Sequence, residues 1–268
     1  MNTLNPFVRQ IRKASDRGAQ HIRRMARERS GLIQQGTTFF RRATEQQYRA
    51  IIERSVAGAS SGVAAIQAVR ETRPPQTPVQ KALQQMYEAA GRRFGAVGEE
   101  IITGEKRLRK SDNYVQRVRD YLERVGGEKI TQISDTTRQD IVRILQNMVD
   151  EGEGIEAMAQ TLREHTDGVS LMRGRRIART EVIPASNAAV DAGAREADVA
   201  LEKEWITAID GREREHHKEA DGQVVDMDSL FRVDHEELEF PGDTSHGASA
   251  GNVINCRCAH APVPAGSL

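Results

Sequence analysis

An α+β fold is predicted, mainly helical over the N-terminal two thirds and closing in a small mixed α/β C-terminal unit. Three observations predict it. Apolar residues recur at three- and four-residue spacing between charged ones as far as about residue 197. After about Leu201 short β-prone pieces take over, separated by Gly, Asp and Pro turns. With 38% hydrophobic, 4% aromatic and 29% charged residues, large core-forming side chains are scarce, so an elongated or partner-dependent protein is expected.

Taken in order, Ile22, Met25, Leu32 and Ile33 form a narrow apolar stripe on a long, otherwise basic helix. Residues 56–68 are rich in Ala, Ser and Gly, and Pro74, Pro75 and Pro78 follow, so that helix is expected to stop there. Helical patterning returns in 79–109, with Leu83, Met86 and Tyr87, and in 114–125, before Gly126-Gly127 marks a second boundary. Ser134 or Asp135 then caps a helix with Ile141, Ile144, Leu145 and Met148 on one side, and Gly152 and Gly154 punctuate its end. A shorter helix carries Ile155, Met158 and Leu162. In 173–194 the small residues Ala185, Ala188, Ala189 and Ala192 permit close helix packing, and Pro184 is expected to kink or interrupt the helix. Residues 204–209, 223–225, 230–233 and 252–258 read as strands.

The formal charge of zero is a cancellation. Residues 1–126 carry 24 Lys+Arg and 12 Asp+Glu, whereas residues 127–268 carry 15 and 27. This divides the chain into a basic, helical arm over 1–126, expected to be elongated, and a module over 127–268, with helices to about 197 and a β-containing unit at 198–262. Within the arm, Arg23, Arg24, Arg27, Arg41 and Arg42, together with Arg29, suit the phosphates of double-stranded DNA or an acidic protein surface. The competing reading is a solvated helix face. No apolar run approaches the roughly 18 residues of a membrane-spanning segment. The N-terminal arginines lack a following apolar stretch, so no signal peptide is expected.

Nearly every chemically distinctive side chain lies in the last seventy or so residues. Trp205 sits in an apolar–polar alternation and is expected to fill the core of the small unit. Pro241-Gly242-Asp243 reads as a turn in which Asp243 satisfies backbone donors. Cys256 and Cys258, the two cysteines of the chain, are too close in sequence to bridge each other without strain. Reduced thiols, a metal or an intermolecular bridge remain. Beside His216 and His217 they admit two readings. One is zinc held by His217, Cys256 and Cys258, with a fourth position for Asp210, Asp221, His246, His260 or water. The other is a hydrogen-bonded histidine next to packed thiols. Arg179 and Glu181, flanking Thr180, are expected to clamp helix to sheet by pairing with Asp210 or Arg212, and Asn187 to bond at a turn or helix end. No nucleophile or phosphate-binding glycine loop accompanies them. A non-enzymatic protein is therefore expected, the alternative being a metal-dependent, HNH-like nuclease or other hydrolase using Asp210, His216 or His217 and Asn255.

The order Ile177-Ala178-Arg179-Thr180-Glu181, Asn187, Trp205, Asp210-Gly211-Arg212-Glu213-Arg214, His217, Asp221-Gly222, Pro241-Gly242-Asp243 and Asn255-Cys256-Arg257-Cys258 resembles the phage Mu F-like, SPP1 gp7-like head morphogenesis family, over roughly residues 130–262. The resemblance implies a minor head protein that acts in procapsid assembly at the portal vertex and in genome packaging or DNA delivery. Its implied partners are the portal protein and major capsid or scaffold proteins. Its implied place is the virion or procapsid interior near the portal, with the host cytoplasm during assembly, in a phage or prophage. Some relatives carry Cys-x-x-Cys where this chain has Arg214 and His217, a departure that bears on any closed zinc site. Deleting residues 1–54 is expected to leave a folded C-terminal module.

Overall fold

The computed structural model describes residues 6–104, 112–197 and 199–267, with side chains described for these except at residues 6–17, 112 and 165. Five helices come first: α1 (Pro6–Ile51), α2 (Gly62–Glu71), α3 (Thr77–Thr103), α4 (Asp112–Asp150) and α5 (Ile155–Ala194), with a π-helical turn at Ile52–Val56 closing α1. The remainder is β1 (Leu201–Ile206), α6 (Glu215–Glu219), β2 (Val224–Asp226), β3 (Phe231–Val233), β4 (Glu236–Leu238), α7 (Ala250–Val253) and β5 (Ala259–Pro264). The mainly helical α+β class is the observed one. No helix among the described residues is long and apolar enough to cross a membrane.

Local signals place some ends and miss others. Ser61 caps α2 by accepting from the Ala64 amide at 3.2 Å, and Pro74 and Pro75 occupy the break before α3. Gly126-Gly127, however, ends nothing: α4 runs through it, and Ser134 and Asp135 lie inside that helix instead of capping it. Ser134 is buried there and accepts from Gln47 Nε2 at 2.8 Å. Pro184 likewise fails to interrupt α5, and the two helices expected over 155–194 are one. Every residue from 181 to 194 is buried. Burial on this scale outweighs the roughly 3 kcal/mol that an interior proline costs.

The chain forms two compact units, and each draws on residues from both sides of position 126. One comprises the described parts of Met1–Ile33, Met86–Arg124 and Arg179–Leu268; the other comprises Gln34–Gln85 and Val125–Ala178. The chain changes unit beside the double glycine, within a continuous helix. The second unit packs Tyr48, Ile51, Ile66, Ile141, Leu145 and Met158 into one core. Arg173 is buried in it, 3.4 Å from Asp140 and donating to Thr137 Oγ1 and the Ile133 carbonyl.

The first unit sets α3 against α5 and adds the sheets. Gly98 and Gly193 let these two backbones meet: a Cβ on Gly98 would strike the Val190 carbonyl, and one on Gly193 the Gly95 carbonyl. An antiparallel sheet has the order β2-β1-β5, with Trp205 opposite His260, and β3 pairs with β4 in a two-stranded sheet. The strand expected over 252–258 is not one. Residues 250–253 are helical, Asn255 turns the chain with a φ of 56°, and pairing starts only at Ala259.

Candidate functional site

Three donor atoms from two distant stretches converge in the first unit. The short helix α6 begins after Arg214 and carries His217, which is 2% exposed under the edge of Trp205, with ring centroids 5.7 Å apart. Thr207 Oγ1 holds this helix by donating to the His217 carbonyl at 2.5 Å, and itself accepts from Trp205 Nε1 at 3.1 Å. From the other side, the left-handed turn at Asn255 directs Cys256 and Cys258 inward, both buried and unbridged. Cys258 Sγ lies 3.4 Å and Cys256 Sγ 3.9 Å from His217 Nδ1, and the three ligand atoms fall within 4.8 Å of one another.

Hydrogen bonding sets the imidazole tautomer. His217 Nε2 is 3.2 Å from Asn252 Oδ1, while Asn252 Nδ2 donates to Glu236 Oε2 at 2.6 Å. The amide oxygen therefore takes the Nε2 proton, and Nδ1 turns its lone pair to the sulfurs. The Cys258 thiol is held well below its ordinary pKa, first by the hydrogen bond from Cys256, and that same bond and burial push Cys256 well above its own.

None of the expected fourth groups joins this triad among the described residues. Asp210 pairs with Arg212 at 3.0 Å and Arg257 at 2.7 Å, and Asp221 accepts from the Thr207 amide at 2.7 Å. His246 lies 3.2 Å from Asp243, and His260 is buried on β5, 4.0 Å from Asp191. His216 stacks edge-on to His217 at 5.0 Å and contributes no atom. A small cavity does open beside the triad, lined by Arg212, Glu213, Arg214 and Asn255.

Arg29 is the residue that sequence reasoning misplaced. Grouped there with a basic surface, it is 3% exposed and donates to Ser186 Oγ and Asn187 Oδ1 at 2.8 Å each, and to the carbonyls of Arg257 at 3.2 Å and Cys258 at 3.1 Å. Burial lowers its pKa to about 10, so it remains a cation at neutral pH. Asn187 is mid-helix, not at a turn, and its Nδ2 donates to the Pro241 carbonyl at 2.8 Å. One guanidinium thus ties α1, α5 and the Cys-x-Cys turn together, and through Asn187 the Pro241 turn. The signal was present: Arg29 lies four residues after Met25 and three before Leu32, on the apolar stripe itself.

The other signature residues are also engaged in packing. Asp243 accepts from the amides of Glu239 at 3.0 Å and Ser245 at 2.8 Å and from the Tyr121 hydroxyl at 3.1 Å, as a turn aspartate should. Gly242 has a φ of 86°, and a Cβ there would press on Ile183 and Pro184. Glu181 pairs with neither Asp210 nor Arg212; it is buried and accepts from the Tyr87 hydroxyl at 3.0 Å, while Arg179 is exposed.

The basic residues divide by environment. Arg23, Arg27 and Arg42 are exposed. Arg24 bonds Glu100 at 2.7 Å and Arg41 lies 3.7 Å from Glu45, so both carry part of their charge into ion pairs.

Residues 139–261 match the family model described as Phage Mu protein F like protein. Among curated proteins, the chain is 34% identical over 111 residues to minor head protein GP7 of Bacillus phage SPP1, covering 40% of this chain and 35% of that one. It is 28% identical over 134 residues to the NAD(+)–arginine ADP-ribosyltransferase EFV of Enterococcus faecalis, covering 49% and 27%. It is 28% identical over 141 residues to the uncharacterized protein YqbB of Bacillus subtilis, covering 51% and 45%. The chain thus spans less than half the length of each of these relatives. No solved structure matches it.

Proposed function

We propose, from the premise that residues 139–261 belong to the phage Mu F-like family, that this chain is a non-enzymatic minor head protein acting in procapsid assembly at the portal vertex. One observation carries the non-enzymatic part. The polar residues of the signature, Asn187, the Pro241-Gly242-Asp243 turn and Asn255-Cys256-Arg257-Cys258, are drawn together by the buried Arg29 and Asn187 bonds, so they act as fasteners of a packed scaffold. A scaffold held this way suits a part that is docked in a larger particle. The supporting comparison is the 34% identity to a protein named as a minor head protein.

The nuclease alternative asks for a histidine that activates water next to a metal. His217 offers no nitrogen for that step: Nε2 is engaged by Asn252, and Nδ1 faces two sulfurs. Exposed Arg23, Arg27 and Arg42 are proposed as the contacts to double-stranded DNA or to an acidic face of a portal, capsid or scaffold protein. The test is location. The chain, expressed with its phage's head proteins, is expected to sediment with procapsids and to be captured by the portal protein. Absence from both procapsids and mature particles would overturn the reading, as would plasmid nicking that disappears in His217→Ala.

A further inference from the structure

We infer that His217, Cys256 and Cys258 form a three-ligand zinc site whose fourth position faces the cavity lined by Arg212, Glu213 and Arg214. Distances carry the argument. With Zn–S near 2.3 Å and Zn–N near 2.0–2.1 Å, tetrahedral coordination separates a ligating sulfur from a ligating nitrogen by roughly 3.6 Å. The two sulfurs stand 3.4 and 3.9 Å from His217 Nδ1, on either side of that value. The donors are then spaced to accept a cation with little movement.

Donor chemistry and surroundings agree with the spacing. Two thiolates and an imidazole are soft and borderline ligands, the set that zinc takes and that magnesium or calcium does not. Two thiolates neutralise a divalent zinc, so the buried centre carries no net charge next to the Arg29 cation. The supports are already built. Arg29 holds the turn bearing both cysteines through the Arg257 and Cys258 carbonyls, and the Glu236–Asn252 pair fixes the imidazole with its lone pair on Nδ1. Binding displaces the thiol protons to solvent and forms two Zn–S bonds and one Zn–N bond.

Arg214 explains why the site is not closed. It precedes α6 by one residue and His217 by three, lines the same cavity, and donates to the Ile254 carbonyl at 2.6 Å. A guanidinium cannot ligate zinc, so solvent or a cavity-lining carboxylate takes the fourth position. This assignment goes beyond the assembly role and stands or falls without it.

The experiment uses the full chain, purified without chelators and refilled with zinc. Elemental analysis is expected to return about one zinc per chain. Cobalt(II) in place of zinc is expected to give a thiolate-to-cobalt charge-transfer band with the strong visible bands of a tetrahedral centre. Cys256→Ser and Cys258→Ser should each lose that band or halve it. Because those variants can fail to fold, Arg214→Cys provides a second arm: a fourth thiolate should shift the chelator concentration needed to strip the metal upward. Folded wild-type chain that retains no zinc on refilling would overturn the assignment. So would a cobalt spectrum without thiolate charge transfer, or metal retention unchanged in Arg214→Cys.

Discussion

The Arg29 guanidinium hydrogen-bonds two side chains and two backbone carbonyls where water does not reach. Hydrogen bonds from a charged donor contribute about 1.5–3 kcal/mol each, and acceptors left buried without a donor are costly. Arg29→Ala is therefore expected to lower stability by roughly 3 kcal/mol or more, read as a fall in the urea midpoint. Arg29→Lys keeps the charge but not the fork, and should recover only a minority of the loss. His21 makes a pH prediction on the same face of α1. Its Nε2 donates to the His260 carbonyl at 3.0 Å, and burial, then the Arg29 charge, lower its pKa to about 4. Between pH 6.5 and 4 the unfolded chain binds a proton at this residue and the folded chain does not. Stability contributed by neutral His21 is present above pH 6.5 and falls on acidification, by up to about 1.4 kcal/mol per pH unit. Urea melts from pH 7 to 4.5 should show a smaller acid loss for His21→Gln than for the parent chain.

At the scale of elements, the helices obey packing before propensity. Alanine favours a helix over glycine by about 1 kcal/mol, so every helical glycine invites the exchange on local grounds. Gly127, in α4 with nothing near its absent Cβ, should gain about 0.5–1 kcal/mol as Gly127→Ala. Gly193→Ala should lose roughly 1–3 kcal/mol net, because the new methyl meets the Gly95 carbonyl and the helices must part. Thermal melts of the two variants are expected to move in opposite directions. The same contrast explains which boundaries were legible. Pro74 and Pro75 break the chain where nothing compensates, whereas Gly126-Gly127 and Pro184 sit in helices whose neighbouring positions are buried, among them Val125, Ile183 and Ala185. Periodicity reports which face is apolar; whether a partner covers that face decides whether a weak point becomes a break.

For the molecule as a whole, α1 contributes to both compact units, with Met25 and Arg29 buried in one and Tyr48, Ile51 and the following Ile52 in the other. Deletion of residues 1–54 is accordingly expected to abolish cooperative unfolding, checked by circular dichroism melts, instead of leaving an intact C-terminal module. Charge reversal is the gentler probe of the exposed arginines. On the proposed reading of a DNA contact, Arg23, Arg27 and Arg42 changed together to Glu should leave the melt nearly unchanged while flattening the log–log salt dependence of binding by about 2–3. An unaltered slope would move the partner from DNA to protein. The helical class, the late appearance of strands, the Pro241 turn and the three metal-capable residues were all readable in the chain, because each depends on spacing or on side-chain chemistry that a local stretch carries with it. That His217 meets Cys256 and Cys258 from 39 and 41 residues away, that Arg29 leaves the basic face to hold their turn, and that Asn187 bonds in mid-helix were decided only by the tertiary structure. Burial and hydrogen-bond partners come from segments far apart in the chain, and only folding brings those segments within reach of one another.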